Sequence, residues 1–399
     1  MIINIVLIFL VIEIILFIFF KNLKKKFSWI INKKDLYPYF DKKRFNNFKK
    51  KRYDKFLGWD NKPKTISYDL NNKKKVKFEI DKKGFRKLSK KNKKQLIASF
   101  GDSYVFCRQV KDENTWQEYI SKSEKYNILN YGVGNYGLDQ AILKYSKTKL
   151  KKQTKFVIQG FVPETINRIQ SQWKHFIEFG NLHGFKPVFR LRENKLELVK
   201  NPLDKKTRID QIPKIINNLV ESDRFYKDKF QNYLLDFPYM FYFIKNFRFN
   251  LSLFINFILF KVSKLFKNKD NLIDILFSIV VKKNIQLSHS LYNELYSQQL
   301  FKKIIERFIL IANRKKHKPI LIIFPQLMDL KLNKSNFLYI DFFNSMKKNI
   351  DIINLTPYFK NKNLNKLFTN DKYGGHLSKF GNKFVSKIIK KKLSLIINK

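Results

Sequence analysis

Cysteine is almost missing from this chain: Cys107 is the only one in 399 residues, so no internal disulfide can form. That fits a reducing compartment. With one thiol and five histidines, no His/Cys/carboxylate cluster has the spacing of a metal site, and no cofactor is called for. A glycine-rich phosphate loop, zinc-finger spacing, an RNA-binding aromatic signature and internal repeats are all absent as well. Acidic residues are scarce, 32 against 82 Lys+Arg, for a formal charge of +50. Such an excess ordinarily points to nucleic acid or an anionic membrane. Here the lysines are scattered over every segment and form no stripe, in a chain rich throughout in Lys, Asn, Ile and Phe. The charge therefore reads as a compositional habit. No nucleic-acid partner is expected, while contact with anionic lipid fits.

Long apolar runs are few, and one of them opens the chain. Residues 1–20 carry a single charge, Glu13, and Lys21, Lys24, Lys25 and Lys26 follow. Twenty apolar residues suffice to span a bilayer. No basic region precedes the run and no small-residue cleavage site follows it, so an anchor is favoured over a cleaved signal. The lysines after it favour a cytoplasmic C-terminal part. The competing expectation is an uncleaved export signal with an extracytoplasmic domain. Residues 21–52 read as a basic juxtamembrane segment, and 53–399 as the main domain.

From residue 57 to 86 short alternating pieces predict a small β-hairpin ahead of the main sheet. Five short apolar runs then read as buried parallel strands: 96–100, 127–131, 156–160, 320–324 and 350–354. Helical patterns follow the first two, the first near Trp116 and the second over 138–150. This βα rhythm predicts a three-layer α/β/α architecture. Its sheet is five-stranded, mostly parallel and doubly wound in the flavodoxin-like manner, with its site beyond the carboxyl ends of the strands. About 160 residues separate the third and fourth strands, far more than one crossover needs, so a helical insertion is expected at about 205–312. Within it, 237–266 is dense in Phe, Tyr, Leu and Ile, and 249–260 has no charge. That piece is either an interfacial helix or part of a buried helical subdomain.

Two segments carry the chemistry. The first strand runs into Gly101-Asp102-Ser103, and the C-terminal region holds Asp371-Lys372-Tyr373-Gly374-Gly375-His376. A strand that breaks at a glycine and presents a serine is how an α/β sheet offers a nucleophile at its carboxyl edge. Such a serine needs a histidine as base and usually a carboxylate to orient that histidine. The C-terminal segment supplies both residue types. The second strand runs into Asn130-Tyr131-Gly132-Val133-Gly134-Asn135-Tyr136-Gly137, whose glycines let backbone approach a ligand. Cys107, just after the serine, reads as a small buried packing residue.

Together these blocks resemble the SGNH/GDSL hydrolases, over roughly residues 55–200 and 318–398. The Gly84-Phe85-Arg86 segment and Phe324-Pro325-Gln326 are similar to a membrane-anchored branch of that family. The resemblance implies Ser103 as nucleophile, His376 as base and Asp371 as its orienting acid. Asp371 lies five residues before His376, where the family has three, so the alternative is a Ser-His dyad. It implies an oxyanion hole of main-chain N–H groups from Ser103 and from Gly134 or Asn135. The family's third donor is an asparagine two residues after the glycine that ends the third strand; here that residue is Val162. Either Asn167 or another polar group stands in, or the hole has two donors. Arg168 is either a contact for an anionic part of the substrate or a surface side chain. The function implied is a membrane-anchored serine esterase or O-acyl transfer enzyme. Its substrate would be an acylated small molecule, cell-surface glycan or lipid-linked sugar. A non-catalytic binding protein on the same fold, tethered beside polysaccharide assembly, is the alternative.

Overall fold

The computed structural model describes residues 2–27, 29–71, 74–89, 95–123, 126–265, 272–332, 337–369 and 375–398. The five apolar runs form strands β1 (Gln95–Gly101), β2 (Tyr126–Asn130), β3 (Thr154–Phe161), β4 (Lys318–Ile323) and β5 (Asp351–Asn354). They pair in the order β5-β4-β3-β1-β2, and every pair is parallel. The chain thus starts in the middle, winds out to one edge at β2, then returns past β1 to build the other half. The reversal leaves a crevice between the carboxyl ends of β1 and β3, where doubly wound sheets place their ligands.

The strands are apolar on both faces because helices cover both. On one side the helices Trp116–Ser123 and Lys379–Ile397 set Trp116, Ile120, Val385, Ile389 and Leu393 among Ile97, Ile128, Ile158, Ile320 and Ile322. On the other, Tyr145 of helix Leu138–Lys147 packs its ring 5.4 Å from Phe100 and 5.7 Å from Phe308. Phe308 belongs to helix Leu295–Arg314, whose buried Leu300, Phe301, Ile304, Ile305 and Phe308 recur at helical spacing. That helix falls within the stretch expected to be insertion, yet its apolar stripe is one of the sheet's covers. The hairpin ahead of the sheet is Thr65–Asn71 paired antiparallel with Lys74–Ile80.

The chain divides into two compact units. The sheet lies in the unit formed by Asn47–Gln170, Lys186–Asn201 and Asn284–Lys399. The other unit comprises Met1–Asn46, Ser171–Phe185 and Pro202–Lys283. It begins with helix Ile2–Lys26, long and apolar enough to cross a bilayer. Ile2, Ile3, Ile5, Val6, Leu7 and Ile8 are exposed along its first turns, whereas Leu16, Phe19, Phe20 and Leu23 are buried against Leu253, Phe257, Leu276 and Phe277. Glu13 is not a stray charge in this helix. Its carboxylate accepts the N–H groups of Tyr239 and Met240, each at 2.7 Å, and so caps helix Tyr239–Lys245. Helices Tyr239–Lys245 and Phe247–Val262 meet at a bend of 108°. On the second, Leu253 and Phe257 face inward while Ile255, Ile258, Leu259 and Val262 are exposed. One face of the charge-free stretch is packed and the other is bare.

Replacing Glu13 by alanine leaves those two N–H groups without their acceptor. We expect a loss of about 1–2 kcal/mol in the packing of the N-terminal helix. Thermal unfolding in detergent should show a midpoint lower by a few degrees, with Glu13→Gln losing less than Glu13→Ala.

Candidate active site

The site is built where β1 and β3 end side by side, with Gly101 opposite Gly160. A Cβ on Gly101 would sit 1.9 Å from the Gly160 carbonyl oxygen and 2.5 Å from Val105 Cγ2. Only glycine fits there. The chain then enters the one-turn helix Ser103–Phe106. Asp102 caps it: Oδ1 accepts the N–H of Tyr104 at 2.8 Å, and Oδ2 accepts the N–H of Val162 at 3.0 Å. One buried carboxylate therefore ties the exit of β1 to the exit of β3. Burial pushes the Asp102 carboxyl up, and the Arg168 guanidinium and the two backbone donors oppose that rise.

Ser103 is the first residue of the turn, so its N–H has no acceptor within the helix. Its Oγ lies 3.0 Å from Nε2 of His376, a residue 273 positions away in sequence. The backbone that carries the imidazole is held by its neighbours. The main-chain N–H of His376 donates to Thr369 Oγ1 at 3.0 Å, and the main-chain N–H of Thr369 donates to the His376 carbonyl at 2.7 Å. The Tyr104 hydroxyl donates to the Gly375 carbonyl at 2.9 Å, and its ring packs 5.3 Å from the imidazole. Gly375 takes φ +81°, and a Cβ there would meet the Thr369 carbonyl at 2.7 Å, so the bend before the histidine requires glycine. Asp371 and Tyr373, the two residues weighed at the acid position, lie outside the described residues.

The loop after β2 is fixed through its carbonyls. Asn61 Nδ2 donates to Gly132 O at 3.3 Å, Trp59 Nε1 to Gly134 O at 3.1 Å, and Arg168 to Tyr136 O at 3.4 Å. Asn135 takes φ +71°, a left-handed conformation that asparagine tolerates better than most residues. With the carbonyls tied back, the N–H groups of Gly134 and Asn135 donate to no group among the described residues. A Cβ on Gly134 would meet nothing within 4 Å, so the backbone is open there.

Val162 buries its side chain in the core and spends its N–H on Asp102. Asn167, on the one-turn helix Thr165–Arg168, is fully buried, and neither atom of its amide has a partner among the described residues. Arg168 is not on the surface: it is buried, donates to Glu164 Oε2 at 3.0 Å, and comes within 3.9 Å of Asp102 Oδ2. From Glu164 the polar line continues to Gln326 Nε2 at 3.1 Å. The Gln326 N–H reaches Asp329 Oδ2 at 2.8 Å, and Asp329 Oδ1 lies 2.9 Å from His289 Nε2. Glu164, Asp329, His289, Thr369, Tyr104, Trp59 and Asn61 carry no motif. The available signal is polar residues just past strand ends, as with Glu164 after β3 and Gln326 after β4.

No family model and no curated protein matches the chain. Among solved structures it is similar to one named for the lipolytic G-D-S-L family from Desulfitobacterium hafniense DCB-2, with 11% identity, TM-score 0.34, and coverage of 75% of this chain and 99% of that one. It is also similar to a member of the lipolytic protein G-D-S-L family from Veillonella parvula DSM 2008, with 12% identity, TM-score 0.31, and coverage of 73% and 94%. Neither likeness assigns a site or a substrate; the Ser103–His376 contact stands on this chain's own geometry.

Two consequences follow for variants and reagents. Gly101→Ala must push β1 from β3 directly before Ser103. A cost of about 1–3 kcal/mol is expected, read as a lower unfolding midpoint by circular dichroism. Cys107, buried with its Sγ donating to Gln117 Oε1 at 3.2 Å, has its thiol pushed up to about 12 by burial. It should resist iodoacetamide at pH 8 in the folded protein and react after denaturation, as mass spectrometry would report.

Proposed function

We propose that this chain is a membrane-anchored SGNH-type serine esterase or O-acyl transfer enzyme. The observation that carries this reading is the 3.0 Å contact between Ser103 Oγ and His376 Nε2 beside the switch point of the sheet. Ser103 Oγ attacks an ester carbonyl and passes its proton to His376 Nε2. Negative charge gathers on the carbonyl oxygen, where main-chain N–H groups of Ser103 and of Gly134 or Asn135 stabilise it. The imidazolium returns the proton to the departing alcohol, leaving an acyl group on Ser103. Water or a sugar hydroxyl, deprotonated by His376, then takes the acyl group and regenerates the serine. Asp371 is assigned to hold His376 in the tautomer that receives the serine proton. The apolar N-terminal helix favours a substrate at a bilayer, an O-acylated glycan or lipid-linked sugar.

The binding-protein reading draws on Val162. A missing side-chain donor is worth about 100- to 1,000-fold in rate where it has been removed from other oxyanion holes. The buried amide of Asn167 is the candidate substitute.

Turnover of a p-nitrophenyl acetate-type ester by the wild type and by three variants tests the assignment. His376→Ala should lower kcat by about 10³-fold or more, and Asp371→Asn by about 10²- to 10⁴-fold, with the fold intact by circular dichroism. Tyr373→Phe should stay within a few-fold of wild type. A folded Asp371→Asn with near-normal turnover would reduce the site to a dyad. A wild type inert on every short-acyl ester would favour the binding protein.

A further inference from the structure

A cavity lies against β1 and β2, and neither Ser103 nor His376 is among its lining residues. Helix Leu138–Lys147 has ten residues, roughly 15 Å at the helical rise, and its last turn, with Lys144 and Lys147, does not fill all the space beside β1 and β2. The space that remains is a cavity of about 620 Å³ within the sheet unit. That is the size of pockets that enclose small ligands. Its wall includes Leu96, Asn127, Leu129 and Tyr131 from β1, β2 and the residue just past β2, closed by Phe85 and Leu88. Leu96 is the second residue of β1, seven before Ser103, and the lining runs from there to Tyr131 just past β2.

Three features set the chemistry. First, Asn127 is 1% exposed, and neither its amide nitrogen nor its oxygen has a partner among the described residues. A buried amide with both halves unmet costs free energy until something supplies a donor and an acceptor. Second, the carboxylates at the rim are held by their own partners, and Asp60 is neutralised by a lysine. Asp60 pairs with Lys144 at 2.6 Å, Asp54 accepts the N–H groups of Phe56 and Leu57, and Asp81 accepts that of Lys83. Third, the exposed residues Lys82, Lys83, Lys149 and Lys151 line the same cavity and make no ion pair among the described residues. Uncommitted ammonium groups above an apolar and aromatic wall, with an amide at its floor, suit a ring of hydroxyls bearing an anion. Lysine serves such an anion as a point charge.

We propose that this cavity binds a phosphorylated sugar, with the lysines on the phosphate and the Asn127 amide on a ring hydroxyl. The site is independent of the role given to Ser103.

Isothermal titration of the full chain in detergent micelles tests it, with glucose 1-phosphate, glucose, inorganic phosphate and UDP-glucose as probes. Glucose 1-phosphate should bind saturably, about tenfold or more tighter than glucose or phosphate alone, and more weakly as salt rises. UDP-glucose binding more tightly still, with the same dependence on the variants below, supports the same chemistry with a nucleotide sugar as its source. Asn127→Leu should lower affinity about tenfold without lowering the unfolding midpoint, because the replacement has no unmet polar group. The surface pair Lys82→Ala with Lys149→Ala should lower it by about tenfold too, and Ser103→Ala should leave it unchanged. Absence of saturable binding by both phosphorylated probes overturns the proposal. So does binding that survives both changes, or binding that is lost in Ser103→Ala.

Discussion

The close approach of β1 and β3 at Gly101 and Gly160 is the constraint on which the rest of the site depends. Two strand ends in backbone contact leave no room for side chains, so the chain must leave β1 abruptly. The exit is the single turn that begins at Ser103. Asp102 makes the exit stable by accepting N–H groups from both strands' continuations. A carboxylate this deeply buried is costly unless it is hydrogen-bonded, and here backbone donors and a nearby guanidinium supply what water would.

That guanidinium links two further parts. Arg168 reaches the Tyr136 carbonyl in the loop after β2 and the Glu164 carboxylate after β3. The loop that carries the proposed oxyanion donors and the strand end that carries Asp102 are thus referenced to one side chain. Trp59 and Asn61, from the segment before the sheet, tie back the other carbonyls of the same loop. Fixing carbonyls in one direction leaves the intervening N–H groups free in another. A rigid array of unspent donors is what stabilisation of a developing oxyanion requires, since such groups need no reorganisation during reaction.

Much of this was legible in the sequence because it is carried by local pattern. Buried parallel strands are continuous apolar runs, so their positions could be read to within a residue or two. The doubly wound order follows from the βα rhythm, and the pairing of Ser103 with His376 follows from the resemblance of their blocks. What stayed hidden is what depends on side chains meeting across the fold. Arg168 reads as a surface arginine because nothing local reveals Glu164 and the Tyr136 carbonyl around it. Glu13 reads as a blemish in an anchor, whereas it caps a helix more than two hundred residues later. Helix Leu295–Arg314 reads as part of the insertion because its apolar stripe does not announce which surface it covers.

The central claim is that Ser103 is an activated nucleophile. A fluorophosphonate probe reacts quickly only with a serine whose hydroxyl is assisted by a base, and peptide mapping identifies the serine that carries it. The account predicts labelling of Ser103 alone in the full chain, lost in His376→Ala and in Ser103→Ala. Labelling that persists unchanged in Ser103→Ala, or a folded wild type that takes up no probe, would contradict it.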